Sequence, residues 1–127
     1  RDSFRETMDV LEQFRGKGLK GVFHSFTGTI DQAREIIEFG GFYIGINGIV
    51  TFKNSGLDAV VKQIDAQYLL LETDAPYLTP APFRGKRNES EHLTLIAAKL
   101  ATIFDINFNQ ITEITTENAY KLFKKLI

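Results

Sequence analysis

Cysteine is absent from this 127-residue chain, which excludes disulfides and thiolate metal sites. That absence fits a cytoplasmic protein. No apolar run approaches the roughly 18 residues that a membrane span requires. No signal peptide is visible either, so no membrane association is expected. A surplus of charge of one sign is also missing: 15 Lys and Arg face 16 Asp and Glu, a net charge of −1. Any polyanion must therefore be gripped by a local cluster and not by bulk attraction. Proline is scarce, and Pro76, Pro80 and Pro82 all fall in one polar stretch from Asp74 to Ser90. There is no internal repeat, low-complexity tract or linker-like stretch. What is present is ordinary for a globular domain with a real core: 43% hydrophobic and 24% charged residues.

The apolar residues alternate between two periods. Phe4, Met8, Leu11 and Phe14 recur at helical spacing until Gly16 and Gly18 interrupt them. Gly21 to Phe26 reads as a short strand. Thr29, with Gln32 three places on, reads as a capping box opening a helix through Ala33, Ile36, Ile37 and Phe39, which Gly40 and Gly41 end. Phe42 to Gly48 is the next strand. Leu57, Val60, Val61 and Ile64 follow the pattern of a third helix. Tyr68 to Thr73 is apolar up to its polar end, as a buried parallel strand should be. After the proline-bearing stretch, Leu93, Ile96, Ala97, Leu100 and Phe104 predict an amphipathic helix. Two short helices are expected near 110–114 and 117–125, with Asn107 and Thr116 as caps and Lys124 and Lys125 at the negative end of the last. Such alternation is the signature of βαβ units around a parallel sheet. Three parallel strands leave both edges unpaired, and a whole (β/α)8 barrel takes about 250 residues. The chain is about half of that.

The strand ends carry the chemistry. Ligands bind at the carboxyl end of parallel strands, and His24 and Asp74 both lie there. By alternation His24 shares a face with Val22 and Phe26. Taken alone it reads as a hydrogen-bonded core histidine. Paired with Asp74 it reads as half of a divalent-metal ligand set. Asp74 before Ala75-Pro76 is equally turn chemistry. Glu72 points to the face of Asp74 by period two, either as a partner orienting a ligand or as a buried acid paired with a base outside this chain. Arg84, Lys86 and Arg87 form a cation run in the loop beyond Asp74. Guanidinium forks suit phosphate oxygens, so Arg84 and Arg87 are candidate phosphate-binding residues. The alternative is a solvated loop, or ion pairs with Glu89 and Glu91. Lys53 either faces the site or does not, Asn54 reads as a helix cap, and His92 as a surface or cap residue.

His24-Ser25-Phe26-Thr27-Gly28, Gly45-Ile46-Asn47-Gly48, Leu71-Glu72-Thr73-Asp74-Ala75-Pro76-Tyr77-Leu78, Arg84-Gly85-Lys86-Arg87-Asn88-Glu89 and Thr115-Thr116-Glu117-Asn118-Ala119 occur in this order. Together they resemble the TatD-type metal-dependent deoxyribonucleases over nearly the whole chain. The resemblance implies an α/β fold, a (β/α)8 TIM barrel of the metal-dependent hydrolase (amidohydrolase-like) type. It implies divalent metal ions (Mg, Zn or Mn, two in a complete enzyme) and hydrolysis of DNA phosphodiesters. Carried over by position, His24 and Asp74 are metal ligands, and Asp74 lies near the attacking water as the catalytic group. The family's remaining ligands, an H-x-H pair near the N-terminus, a Glu and another His, have no counterpart here. Arg1-Asp2-Ser3-Phe4 resembles the residues that follow one of those histidines.

Residues 1–127 are therefore expected to be the C-terminal half of such a barrel. DNA is the expected substrate of the complete enzyme, and the expected partner of this chain is the missing N-terminal half or a second copy of itself. Two rival readings are an amidohydrolase-like enzyme acting on a small ester or amide, and a non-catalytic half-barrel oligomerisation module. Catalytic sites generally need about three protein ligands and an open position. The chain by itself should thus show negligible nuclease turnover with any divalent ion. A metal-dependent rate from contaminant-free residues 1–127 overturns that expectation.

Overall fold

A computed structural model describes residues 3–124. Arg1, Asp2 and Lys125, which figured in the sequence readings, lie outside the described residues. Helix α1 (Phe4–Glu12) turns Met8 into the core and stops short of Phe14. Strand β1 (Gly21–Phe23) leads to α2 (Ile30–Phe39). The expected capping box opens α2: the Gln32 N–H donates to Thr29 Oγ1 and the Thr29 N–H donates to Gln32 Oε1. Strand β2 (Phe42–Ile46) is followed by a 3-10 turn, Gly48–Thr51, and by the short helix α3 (Leu57–Val61). Strand β3 (Leu69–Leu71) runs into the proline-bearing loop. Helices α4 (Leu93–Phe104) and α5 (Phe108–Leu122) complete the described chain.

The strands form one parallel sheet in the order β1-β2-β3, with Phe23 beside Ile44 and Ile46 beside Leu71. Because all three run the same way, their carboxyl ends open on one side. Ile44, Ile46 and Leu69 from the sheet pack with Ile36, Ile96, Leu100 and Ile111 from the helices, all fully buried. Each such side chain contributes about 1.5–3 kcal/mol on burial. This core fixes the sheet, and the sheet fixes where its ends point.

Several expectations need correction. Strand pairing in the first strand stops at Phe23, because Ser25 adopts a left-handed φ of +52°. His24 therefore shares no strand face with Val22 and Phe26. It stands exposed in the turn beyond β1. The two short terminal helices are one. Thr116 is no cap but an exposed residue inside α5, while the Thr115 hydroxyl donates back to Ile111 O at 2.9 Å and so satisfies itself within the helix. Asn107 does cap α5, accepting from the Gln110 N–H at 2.8 Å. Asn54 does not cap α3; the Ser55 hydroxyl accepts from the Leu57 N–H at 3.2 Å instead.

Asn118, only 2% exposed, reaches from α5 to the entrance of β3. Its Nδ2 donates to Ala66 O at 2.9 Å and to Leu69 O at 2.8 Å. β3 lies at the edge of the sheet, and the Asn118 amide supplies the donor that a further strand would otherwise give. Asn118→Ala should leave both carbonyls without this donor and lower the unfolding free energy by about 2–3 kcal/mol. Urea unfolding of the protein reads this directly; a loss under about 0.5 kcal/mol would show that water replaces the amide.

Candidate metal centre

The carboxyl ends of the strands deliver one polar residue each. His24 follows β1, Asn47 follows β2 and Glu72 follows β3, each as the first residue beyond its strand. Asp74 comes two residues after Glu72 and holds a left-handed φ of +56°, which turns the chain at the sheet's rim. His24, Glu72 and Asp74 each offer a ligand atom, and these atoms lie within 4.8 Å of one another. His24 is exposed, and the two acids are half-buried. The structure thus brings the two candidate ligands together and adds Glu72 to them as a third donor.

Glu72 gets there by lying across β2. The Ser25 N–H donates to Glu72 Oε1, and the Glu72 N–H donates to Ile46 O at 2.9 Å. Gly45 makes this possible. A Cβ at Gly45 would overlap the Glu72 carboxylate and come within 3.1 Å of His24 Cα. Asn47, 1% exposed, ties the rim together. Its Nδ2 donates to Ser25 Oγ at 2.8 Å and to Asp74 Oδ2 at 3.0 Å, while its Oδ1 accepts from the Ile49 N–H at 3.0 Å. Sequence reasoning at the level of single residues misses Asn47. The available signal was a polar side chain at the end of an apolar strand, between two glycines.

The cation loop is arranged differently. The Arg84 guanidinium carbon lies 3.6 Å from the centre of the Phe52 ring, a cation–π contact that ties the loop to the turn after β2. Arg84, Lys86 and Arg87 are exposed. Among the described residues none of the three forms an ion pair with Glu89 or Glu91. Lys53 is exposed as well. His92 is half-buried, with its ring stacked on Phe83 at 5.3 Å, outside the His24–Glu72–Asp74 group.

One imidazole and two carboxylates at this spacing fit a divalent cation of the zinc, manganese or magnesium kind. The electrostatics agree. Burial raises the Glu72 carboxyl above the usual carboxylate range; the Ser25 N–H pulls it down, the neighbouring Asp74 charge raises it further and His24 lowers it. A bound cation would relieve both the burial and the carboxylate repulsion.

A family profile described as "TatD related DNase" matches residues 1–124. The chain is 42% identical to the "uncharacterized metal-dependent hydrolase YabD" of Bacillus subtilis, covering 98% of this chain and 49% of that protein. It is 34% identical to the "uncharacterized metal-dependent hydrolase YcfH" of Escherichia coli K12, over 97% and 46%. Among solved structures, the TatD homolog YJJV of Escherichia coli superposes with a TM-score of 0.88 at 28% identity, over 98% of this chain and 48% of that one. A TatD family hydrolase of Entamoeba histolytica gives 0.82 at 26%, over 96% and 48%. The chain spans about half the length of the curated relatives it matches.

The raised Glu72 value has a consequence for stability. In the metal-free fold Glu72 holds its proton more tightly than in the unfolded chain, so its contribution is complete below the ordinary Glu value of about 4.3. It is lost as pH rises through the raised value. Glu72→Gln has no charge to lose. With a chelator present, its melting temperature relative to wild type should therefore climb between acid pH and neutrality. A difference that stays constant across that range would show that burial does not penalise the Glu72 charge.

Proposed function

The chain belongs to the TatD related DNase family, and from that membership we propose that it forms part of a metal-dependent hydrolase that cleaves DNA phosphodiester bonds. The observation that carries this reading is the gathering of His24, Glu72 and Asp74 within 4.8 Å at the carboxyl end of a parallel sheet. His24, Asp74 and Glu72 would hold a divalent ion, and two ions would be present in the complete site. A divalent ion so held supplies Lewis-acid polarisation of a phosphoryl oxygen and makes water a nucleophile near neutral pH. Asp74 takes the proton of the attacking water. Asn47 keeps Asp74 Oδ2 in place for that transfer and Arg84, oriented by Phe52, steadies phosphate oxygens together with Arg87.

We read the chain further as one side of a (β/α)8 barrel. Three features support this: it spans about half of its relatives, it contributes three adjacent parallel strands, and both outer strands have an apolar groove beside them. One groove, of about 1100 Å³, runs from Phe4 and Leu11 along Val22 and Phe23 to Phe26. The other, about 280 Å³, lies between Leu71, Leu93 and Phe108. The rest of the barrel, or a second copy of this chain, would cover them, and without that cover the chain is inactive. No helix among the described residues is long and apolar enough to cross a membrane. With the lack of cysteine, the reading sites the enzyme in the cytoplasm.

At the full length its gene encodes, the protein should release nucleotides from DNA with Mg2+ or Mn2+ and stop when the ion is chelated. Turnover of simple esters or amides with intact DNA would instead establish the small-substrate reading. Arg84→Ala should weaken DNA binding about tenfold, equivalent to about 1.4 kcal/mol, and lower the salt slope of binding by roughly one phosphate contact. An unchanged slope would remove Arg84 from the phosphate grip.

A further inference from the structure

The Arg84–Glu89 segment contains a residue that the phosphate reading leaves unused. Asn88, 2% exposed, sits beneath the arch that carries Asp74. Its Nδ2 donates to Thr73 O at 2.8 Å and to Tyr77 O at 2.7 Å, one carbonyl on each side of Asp74. Its own N–H donates to Pro76 O at 3.1 Å. The arch is closed internally by the Tyr77 N–H, which donates to Asp74 O at 2.9 Å. On the other side of the Asn88 amide, Oδ1 lies 3.1 Å from His92 Nδ1, and the amide presents its N–H groups to the two carbonyls.

We infer that Asn88 is a positioning residue for Asp74, fixing from below the backbone whose carboxylate Asn47 fixes from the side. This rests on the metal-centre reading of Asp74 given above. The physical need is specific. Asp74 is held at φ +56°, a region that side-chain-bearing residues enter seldom, Asp more readily than most, so its neighbours decide whether that backbone persists. Three hydrogen bonds from one buried residue to residues 73, 76 and 77 hold it. Without them the arch is free to relax to a commoner backbone, and relaxation swings the Asp74 carboxylate away from His24 and Glu72. The cation loop and the metal centre are thus one construction, joined through Asn88.

Asn118 provides a matched control. It is equally buried and also donates twice to backbone carbonyls, but at the opposite end of β3. The test measures Mn2+ affinity by calorimetry, on the protein at the full length its gene encodes, well below each variant's melting temperature. Both Asn88→Ala and Asn118→Ala should melt earlier than wild type. Only Asn88→Ala should bind Mn2+ more weakly, by about 10–100-fold. Asn88→Ser, whose hydroxyl can serve one of the two carbonyls, should recover part of that loss, and it carries the comparison if Asn88→Ala does not fold. Wild-type affinity in Asn88→Ala (or, where Asn88→Ala does not fold, in Asn88→Ser), or an equal loss in Asn118→Ala, overturns the inference while leaving the metal centre standing. A wild-type protein that binds no Mn2+ overturns the metal reading and the inference with it.

Discussion

Two carboxylates and an imidazole are held within 4.8 Å of one another, and the rest of the rim exists to sustain that crowding. Like charges at such a distance repel, and half-burial removes much of the water that would screen them. Left to itself, the chain would separate Glu72 from Asp74. It does not, because each is fixed by groups that cannot move independently. Glu72 is bound at its own backbone to β2 and at its carboxylate to the Ser25 N–H. Asp74 is bound at its carboxylate by Asn47. The three candidate ligands are therefore held together in advance of any cation, the kind of preorganisation that a metal site requires.

That preparation depends on a parallel sheet. In a parallel arrangement the residues just beyond successive strands converge on one rim, so His24, Asn47 and Glu72 need no long loops to meet. Short strands suffice because the core behind them is dense: Ile44, Ile46 and Leu69 are wholly buried against helical partners. The same geometry leaves the outer sides of β1 and β3 facing grooves. The rim is closed while the edges are open, and the Asn118 amide blunts the open edge of β3 only at its first residue.

Much of this was legible in the residues. The capping box at Thr29 and the cap at Asn107 are readable because a cap acts over three residues and needs no tertiary context. The place of Asp74 at the carboxyl end of β3 is readable because an apolar run that ends in acids before a proline marks the end of a buried strand. The misjudged features turn either on a local choice between neighbouring residues, as with Ser55 in place of Asn54, or on effects that the local pattern does not carry. His24 was placed on a strand face, but the left-handed turn at Ser25 takes it off, and nothing in the local sequence announces that turn. Thr116 looked like a cap, but packing of Ile111, Thr115 and Asn118 against the neighbouring elements carries the helix straight through. Asn47 and Asn88 stand within recognisable motifs, but their roles are not legible there, because a buried amide reveals its function only through the carbonyls and carboxylates it meets.

Gly45 shows why candidate ligand residues alone do not define this site. His24 and Glu72 follow β1 and β3, which are not neighbours; β2 runs between them. For their side chains to approach, one must pass over the intervening strand, and Glu72 does so directly above Gly45. Any side chain at Gly45 would occupy the space of that carboxylate, which would have to swing aside, and press on the His24 backbone, which cannot. Gly45 is not at positive φ, so its role is space and not backbone freedom. A chain carrying His24, Glu72 and Asp74 but a larger residue at position 45 would hold the same ligand atoms in sequence and lose them in space. The constraint that makes the centre thus resides in a residue with no chemistry of its own.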